Sequence, residues 1–282
     1  MQIGFWNIDS KEVKAGRDMS DSIVQLILEK DLDILSLAEA NANVVDEAVY
    51  KLMGMNPAST YTWIPSSKDR IKTISRIAQA AFTDISGLCR GTRWSAYQVK
   101  IPKVLTFNII LVHLQSKMNW SDQSQSLDCV NLASDIKAIE AHTGSSNSIV
   151  LGDFNMNPFE FGMVAANGLH AMQDLNYVGA RLPGREVDGA LYKFFYNPMW
   201  NLFGDNKKPM GTCYYRVSQH VSYEWNLFDQ VLVRPELKGF LAADCVDIVD
   251  SIGGDSLTKG FDRPDRDLYS DHLPIVLKLT HT

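Results

Sequence analysis

The chain has 282 residues, 45% of them hydrophobic and 21% charged, with a net charge of −6. This is an ordinary globular composition, and no large basic field advertises tight, nonspecific nucleic-acid binding. No run approaches ~18 consecutive apolar residues, so no membrane span is expected.

Gln2 to Ile8 reads as a strand. No basic segment and long apolar run precede it, so no secretory signal is expected. Asp18 to Lys30 reads as a helix capped by Asp18 or Ser20, with Ile23, Leu26 and Ile27 on one face. A short apolar strand, Asp33 to Ala38, ends at Glu39, and Val44 to Met53 reads as a second helix. Trp94 to Ile101 and Val104 to Leu114 read as a hairpin across Pro102-Lys103. The second of these strands is almost wholly apolar, as expected of a central strand covered on both faces. It ends in His113-Leu114.

A long helix is expected over Ser121 to His142, with Leu127, Val130, Ile136 and Ile139 inward and Gly144 as its stop. Ile149 to Leu151 is the next strand. Residues from about Leu182 to Pro209 fit no period and read as a long loop, whose aromatic stretch Tyr192 to Trp200 suits packing or base stacking. Thr212 to Val217, Leu227 to Val233, Cys245 to Val249 and Pro274 to Leu279 complete the strands. Two packed sheets with helices outside accommodate this order. No repeat, low-complexity run or linker divides the chain, so residues 1–282 read as a single domain. Cys89, Cys129, Cys213 and Cys245 are scattered, with no C-x-x-C spacing, and fit a reduced, cytoplasmic protein.

The chemistry lies at the strand ends. Gly152-Asp153-Phe154-Asn155 follows the apolar run Ser148 to Leu151, and Ser270-Asp271-His272 precedes another, Leu273-Pro274-Ile275. Asn7, Glu39, His113 and Asp229 hold comparable positions. If the strands share sheets, their ends converge on one rim, and polar groups on a rigid sheet make a preorganised site. Carboxylates collected there suit Mg²⁺, a hard cation usually bound by one or two carboxylates plus phosphate and water. Asp229, inside an apolar run, requires a partner. Taken singly, each of these residues could equally be a turn former, a surface carboxylate or a satisfied core histidine. His142, His170, His220 and His281 have no motif around them.

Six strings occur in order along the chain: Phe5-Trp6-Asn7-Ile8-Asp9, Leu35-Ser36-Leu37-Ala38-Glu39, Val112-His113-Leu114, Gly152-Asp153-Phe154-Asn155, Phe228-Asp229-Gln230-Val231 and Ser270-Asp271-His272. Together they resemble the successive motifs of the endonuclease/exonuclease/phosphatase superfamily, of exonuclease III and DNase I type. The resemblance runs from residue 3 to residue 279. It implies a four-layer α/β sandwich, two mixed sheets face to face with helices outside, and a Mg²⁺-dependent phosphoester hydrolase with Mn²⁺ as a substitute.

By the same resemblance Asn7, Glu39 and Asp271 are the metal residues. Asp153 orients or deprotonates the attacking water, and Asn155 positions water or a phosphoryl oxygen. His272 lies against the scissile phosphate and is held by Asp229, and His113 donates to a nonbridging oxygen. One departure stands out: Ala38 occupies the place where the family commonly has Gln before the metal-binding Glu, so that either a hydrogen bond behind the metal site is missing or Asn41 replaces it.

Substrate clues are fewer. Lys68, Arg70, Lys72 and Arg76 form one basic stretch and Arg90 and Arg93 another, suited to a phosphate backbone or to a solvated face. Lys117 and Trp225 are candidate substrate contacts. The expected substrate is nucleic acid, DNA first, with no membrane partner. A cytoplasmic DNase would harm its host, so narrow specificity or a regulatory protein partner is expected. The rivals are a hydrolase of inositol phosphates, sphingomyelin or nucleotides, and an inactive binding module on the same fold.

Overall fold

The computed structural model describes residues 1–9, 13–14, 16–55, 60–180, 184–205, 209–218, 220–260 and 263–280. His281 and parts of the 182–209 segment lie outside these residues.

Two mixed sheets carry the fold. The first contains β1 (Gln2–Asn7), β2 (Ile34–Ala38), β3 (Thr62–Ile64), β4 (Ile71–Ser75), β12 (Leu241–Ile248) and β13 (Ile275–Leu279), in the order β12-β13-β1-β2-β4-β3. The second contains β5 (Phe82–Asp84), β6 (Trp94–Ile101), β7 (Leu105–His113), β8 (Ser148–Asp153), β9 (Ala171–Met172), β10 (Phe195–Tyr196) and β11 (Asp229–Val233), in the order β9-β10-β11-β8-β7-β6-β5. Their facing sides share one core: Phe5, Leu35 and Leu277 from the first sheet join Phe107, Ile109, Leu151 and Val231 from the second.

Helices form the outer layers. α1 (Met19–Glu29) and α2 (Ala42–Met55) pack together against the first sheet. α1 is capped by Asp18, whose carboxylate accepts from the Ser20 amide at 2.8 Å. α3 (Asp122–Thr143) covers the second sheet, its Cys129, Leu132, Ile136 and Ile139 meeting Ile110, Val112 and Val150. Ser121 caps α3 and Gly144, at φ 67°, ends it in the left-handed region. The expected four-layer α/β sandwich is the observed fold.

Some sequence expectations change. Leu127 is 65% exposed, because it lies two residues from both Gln125 and Cys129 on the inward stripe of α3. The expected strand over 212–217 contracts to Cys213–Tyr214, paired with Trp225–Asn226, and the chain beyond it faces solvent. The supposed long loop holds a hairpin (Gly184–Val187 with Ala190–Lys193), β10 and a 3₁₀ turn over Pro198–Leu202. Its aromatics Phe194, Phe195 and Tyr196 are buried, and Arg234 lies 3.8 Å above the Phe195 ring. All four cysteines are buried free thiols, and burial pushes Cys89 and Cys245 up to about 11. Among the described residues no helix is long and apolar enough to cross a membrane.

Candidate active site

Strand register builds the site. β8 runs parallel to β7 and antiparallel to β11, and its last residue, Asp153, lies opposite His113 on one side and Asp229 on the other. Three chemistry-bearing side chains thus stand in one row across adjacent strands. In the first sheet β1 and β2 are parallel, which brings Asn7 level with Ala38 and one residue short of Glu39. The approach of β8 to β7 depends on Gly152: at φ 147°, a Cβ there would sit 1.9 Å from the Val112 carbonyl oxygen.

Asp153 is fully buried at the junction of the two sheets. Its Oδ1 accepts from the Asn155 amide at 2.8 Å, and its Oδ2 accepts from Asn7 Nδ2 and Asn155 Nδ2, both at 3.2 Å. Burial raises its pKa, against the opposing pull of the His272 charge. Asp229, also buried, holds His272 Nδ1 at 2.7 Å. Burial works against the charged imidazole, but the carboxylates of Asp229 and Asp153 outweigh it and hold His272 well above the ordinary histidine value. Asp229 Oδ1 is buried without a hydrogen-bond partner. On the far side of Asp153, His113 Nε2 lies 3.9 Å from Asp153 Oδ2 and 3.5 Å from Glu39 Oε1. Burial lowers the His113 pKa, and the positive charges of Arg93 and Arg70 add to that effect.

The loops carrying these groups are tied down from several directions. Trp6 Nε1 donates to the His272 carbonyl at 2.9 Å, and Ser270 Oγ donates to the Asn7 carbonyl at 2.6 Å. Both bonds pin the His272 loop to the end of β1. Asn157 bridges to Asn226 at 2.8 Å and accepts from the Leu227 amide at 2.9 Å, fixing the loop after β8 to the lead-in of β11. Gln125 on α3 donates to the Gln115 carbonyl at 2.9 Å and the Asn155 carbonyl at 3.1 Å. No motif marks Gln125, Asn157, Asn226 or Ser270 in the sequence; only the proximity of Asn157 and Ser270 to motif residues points to them. Three rim residues, Asp9, Glu39 and Asn155, adopt φ of 53°, 54° and 52°. Left-handed backbone at non-glycine residues is uncommon and clusters at functional sites.

The sequence-predicted residues are not all drawn into one cluster. Asn7, His113, Asp153, Asn155, Asp229 and His272 form a continuous chain of contacts, and Glu39 joins it through His113. Asp271, 36% exposed, lies 3.9 Å from Arg266 Nε, which is also 3.5 Å from Asp9. Lys117 does not reach this chain as a free cation. Its Nζ pairs with Glu160 and Asp122 and donates to Gln125 Oε1 at 3.3 Å. Trp225 sits on the short strand that faces Tyr214, ring centroids 5.6 Å apart, and Cys213 of that pair bridges to His272. Asn41 is exposed at the start of α2, where its carbonyl accepts from the Val45 amide.

Asp153, Asp229 and His272 present ligand atoms within 4.8 Å of one another, a group able to hold a metal ion. Its innermost contact, the 2.7 Å Asp229–His272 bond, holds a proton between the two groups. The deep trio therefore suits proton handling. Glu39, with its side chain 35% exposed, suits an ion that keeps part of its water.

No family model and no curated protein sequence matches the chain. Solved structures do. D. rerio TDP2, complexed with a single-strand DNA product, aligns over 99% of this chain and 98% of its own, at TM-score 0.57 and 17% identity. An endonuclease/exonuclease/phosphatase family protein from Leptotrichia buccalis covers 99% of both chains, at TM-score 0.56 and 14% identity. The chain has the endonuclease/exonuclease/phosphatase fold. The human Nocturnin catalytic domain with bound sulfate is similar as well, covering 100% of this chain and 94% of its own, at TM-score 0.54 and 17% identity.

Proposed function

We propose that this chain is a divalent-metal-dependent phosphodiesterase that hydrolyses nucleic-acid strands, DNA first. The observation that carries the reading is the row His113, Asp153, Asp229 across three adjacent strands, with a charged His272 held on Asp229. A buried base, an imidazolium and a neutral imidazole side by side are what in-line attack on a phosphodiester needs.

Asp153, held by the Asn155 and Asn7 amides, would take the proton of the attacking water. Its raised pKa brings it toward the range where a general base works best. Asp229 occupies His272 Nδ1, so Nε2 is the atom left to face a phosphoryl oxygen, and the ring's charge would offset the negative charge that builds there. His113, kept neutral by burial, would donate a single N–H beside it. Asn155 would orient the water, and Lys117 and Gln125 would hold the backbone that carries Asn155.

Glu39, Asn7 and Asp271 fit a hard cation. All three offer oxygen, two are partly exposed, and Asn7 turns its Nδ2 to Asp153 while its Oδ1 accepts from the Asp9 amide at 3.3 Å, which leaves that oxygen one lone pair. Mg²⁺ is the natural occupant, with Mn²⁺ as a substitute. When bound, such an ion supplies Lewis-acid polarisation of the phosphoryl oxygen or leaving group.

Exposed aromatics favour a nucleic-acid strand. Tyr223 and Phe203, 53% and 43% exposed, lean on Phe159, four residues beyond Asn155, with ring centroids 5.1 and 5.6 Å away. Bases stack on such surfaces irrespective of sequence. Two of the similar structures hold a DNA product and a sulfate.

The test is cleavage of supercoiled and linear DNA, single-stranded RNA and bis(p-nitrophenyl) phosphate with Mg²⁺, comparing wild type with His272→Ala. Strand cleavage lost in the variant supports the reading. Turnover of the small diester alone would instead indicate a small-phosphoester hydrolase, which the net charge of −6 favours. Inactivity of folded wild type on all four substrates would sink both.

A further inference from the structure

Of the nine basic residues between Glu39 and His113, six fall in two short stretches, and the structure separates them. Arg76 pairs with Asp31 and Asp33. Lys72 is buried in β4, pairs with Asp69 and lies 5.5 Å from the Trp63 ring centroid. Arg90 binds Asp135 at 2.7 Å. Lys68 Nζ donates to the carbonyls of Cys89 and Gly91 and so anchors the loop before β6. Arg70 and Arg93 remain. Among the described residues neither has a carboxylate within ion-pair distance, although the chain carries 33 acidic residues.

These two arginines line one cleft with Lys68, Ile71, Thr92 and Trp94. The cleft adjoins the candidate site through the backbone: the His113 amide donates to the Arg93 carbonyl at 2.9 Å. The Arg93 guanidinium donates to Gln115 Oε1, two residues beyond His113, and is half-buried. Asp128 and Glu39 offset part of the charge on Arg93 without pairing with it, and the two like charges sharing the cleft repel each other. Burial lowers the Arg93 pKa, and the charge of Arg70 lowers it further. An anion between them would relieve that repulsion, and guanidinium forks match phosphate oxygens in pairs.

We propose that Arg70 and Arg93 form a second phosphate subsite, which holds the phosphodiester next along the strand from the one being cleaved. The inference rests on the strand-cleaving reading of the neighbouring site. The ligand chemistry is a phosphodiester strand, DNA or RNA. The subsite makes strands better substrates than isolated diesters, and it places them on the Glu39–His113 side of the site.

The experiment uses Arg70→Gln/Arg93→Gln, with Arg70→Gln alone as a second variant because Arg70 is exposed and its loss leaves the fold intact. Binding of fluorescein-labelled single-stranded DNA and RNA of matched sequence is read by anisotropy in EDTA. Turnover with Mg²⁺ is read on the same strands and on bis(p-nitrophenyl) phosphate. The double variant is expected to weaken strand binding about tenfold or more. Loss of the one phosphate held there should also reduce the salt slope by about 0.7 on single strands. kcat/KM should fall at least tenfold more on strands than on the small diester, and the single variant should show part of each effect. A selective loss with DNA or with RNA supports the subsite and identifies the strand. Unchanged strand binding, or an equal fall on strand and diester, overturns it. Wild type that binds strands through these arginines but hydrolyses nothing would keep the subsite and refute the hydrolase.

Discussion

Asp229→Asn isolates the electrostatic centre of the site. In wild type, His272 is raised well above its ordinary value because Asp229 at 2.7 Å and Asp153 nearby outweigh the cost of burial. The amide keeps the shape of the carboxylate but removes its charge, so burial then dominates and the ring's pKa falls below the ordinary ~6.5. The two proteins therefore depend on pH in opposite ways. Folded wild type keeps its His272 proton while the unfolded chain releases it near pH 6.5. This contribution to stability is complete below that pH and is lost as pH rises toward the folded value. In the variant the folded ring is neutral. The unfolded chain binds the extra proton, and stability falls as pH drops below ~6.5. Between the two folded pKa values, the stability advantage of wild type over the variant should shrink by about 1.4 kcal/mol per pH unit as pH rises, the slope for one proton. Urea unfolding of both proteins at pH 5.5, 7 and 8.5 measures the difference, and groups common to both cancel. A carbon-detected imidazole titration follows His272 directly. A pH-independent difference, or a wild-type His272 titrating at or below ~6.5, would refute the charged-dyad reasoning.

Asp153→Asn should lower kcat by about 10²–10⁴ and also lower the thermal midpoint at pH 7, because the new amide NH2 would face the N–H donors of Asn7 and Asn155 that now bond the carboxylate. Gly152→Ala should cost about 4 kcal/mol or more in urea unfolding, a loss reserved for severe mechanisms, since its Cβ would sit 1.9 Å from the Val112 carbonyl oxygen. Activity should vanish in EDTA and return with Mg²⁺ or Mn²⁺. Glu39→Gln should raise the Mn²⁺ concentration for half-saturation about tenfold or more, read by electron paramagnetic resonance, and an unchanged value would remove Glu39 from the metal site. Ellman's reagent should find no thiols in the native protein and four on unfolding, because all four cysteines are buried and unpaired.

The parts of the fold legible in the sequence are those where burial on both faces writes a continuous apolar run. β7 and β8 are such runs, and the polar residues that end them, His113 and Asp153, are conspicuous for that reason. β4 was hidden by the same logic. Ile71-Lys72-Thr73-Ile74-Ser75 looks like part of a basic stretch, because nothing local shows that Lys72 will be buried between Asp69 and the Trp63 ring. Register was also out of reach. That Asp153 stands level with both His113 and Asp229 follows from pairings 40 and 76 residues apart along the chain (153 less 113, and 229 less 153). The left-handed backbone of Glu39 and Asn155 has no sequence mark at Glu39, a residue type that rarely adopts it.

The same limit governs charge. Read along the chain, Lys68, Arg70, Lys72, Arg76, Arg90 and Arg93 are six equivalent cations. In three dimensions four of them answer to Asp31, Asp33, Asp69, Asp135 and two carbonyls, and they serve the scaffold. Only partner geometry distinguishes a cation that closes the fold from one that is open to a ligand. A net charge of −6 is thus compatible with a phosphate-binding face: the excess acid is distributed over scaffold pairs and the solvated surface, while the field beside His113 is set locally, by the carboxylate of Asp153 against the positive charges of Arg93, His272 and Arg70. Surface charges more than a Debye length away, about 8 Å at physiological salt, contribute little there. Specificity at this site should therefore respond to those two arginines far more than to the neutralisation of acidic residues elsewhere on the surface.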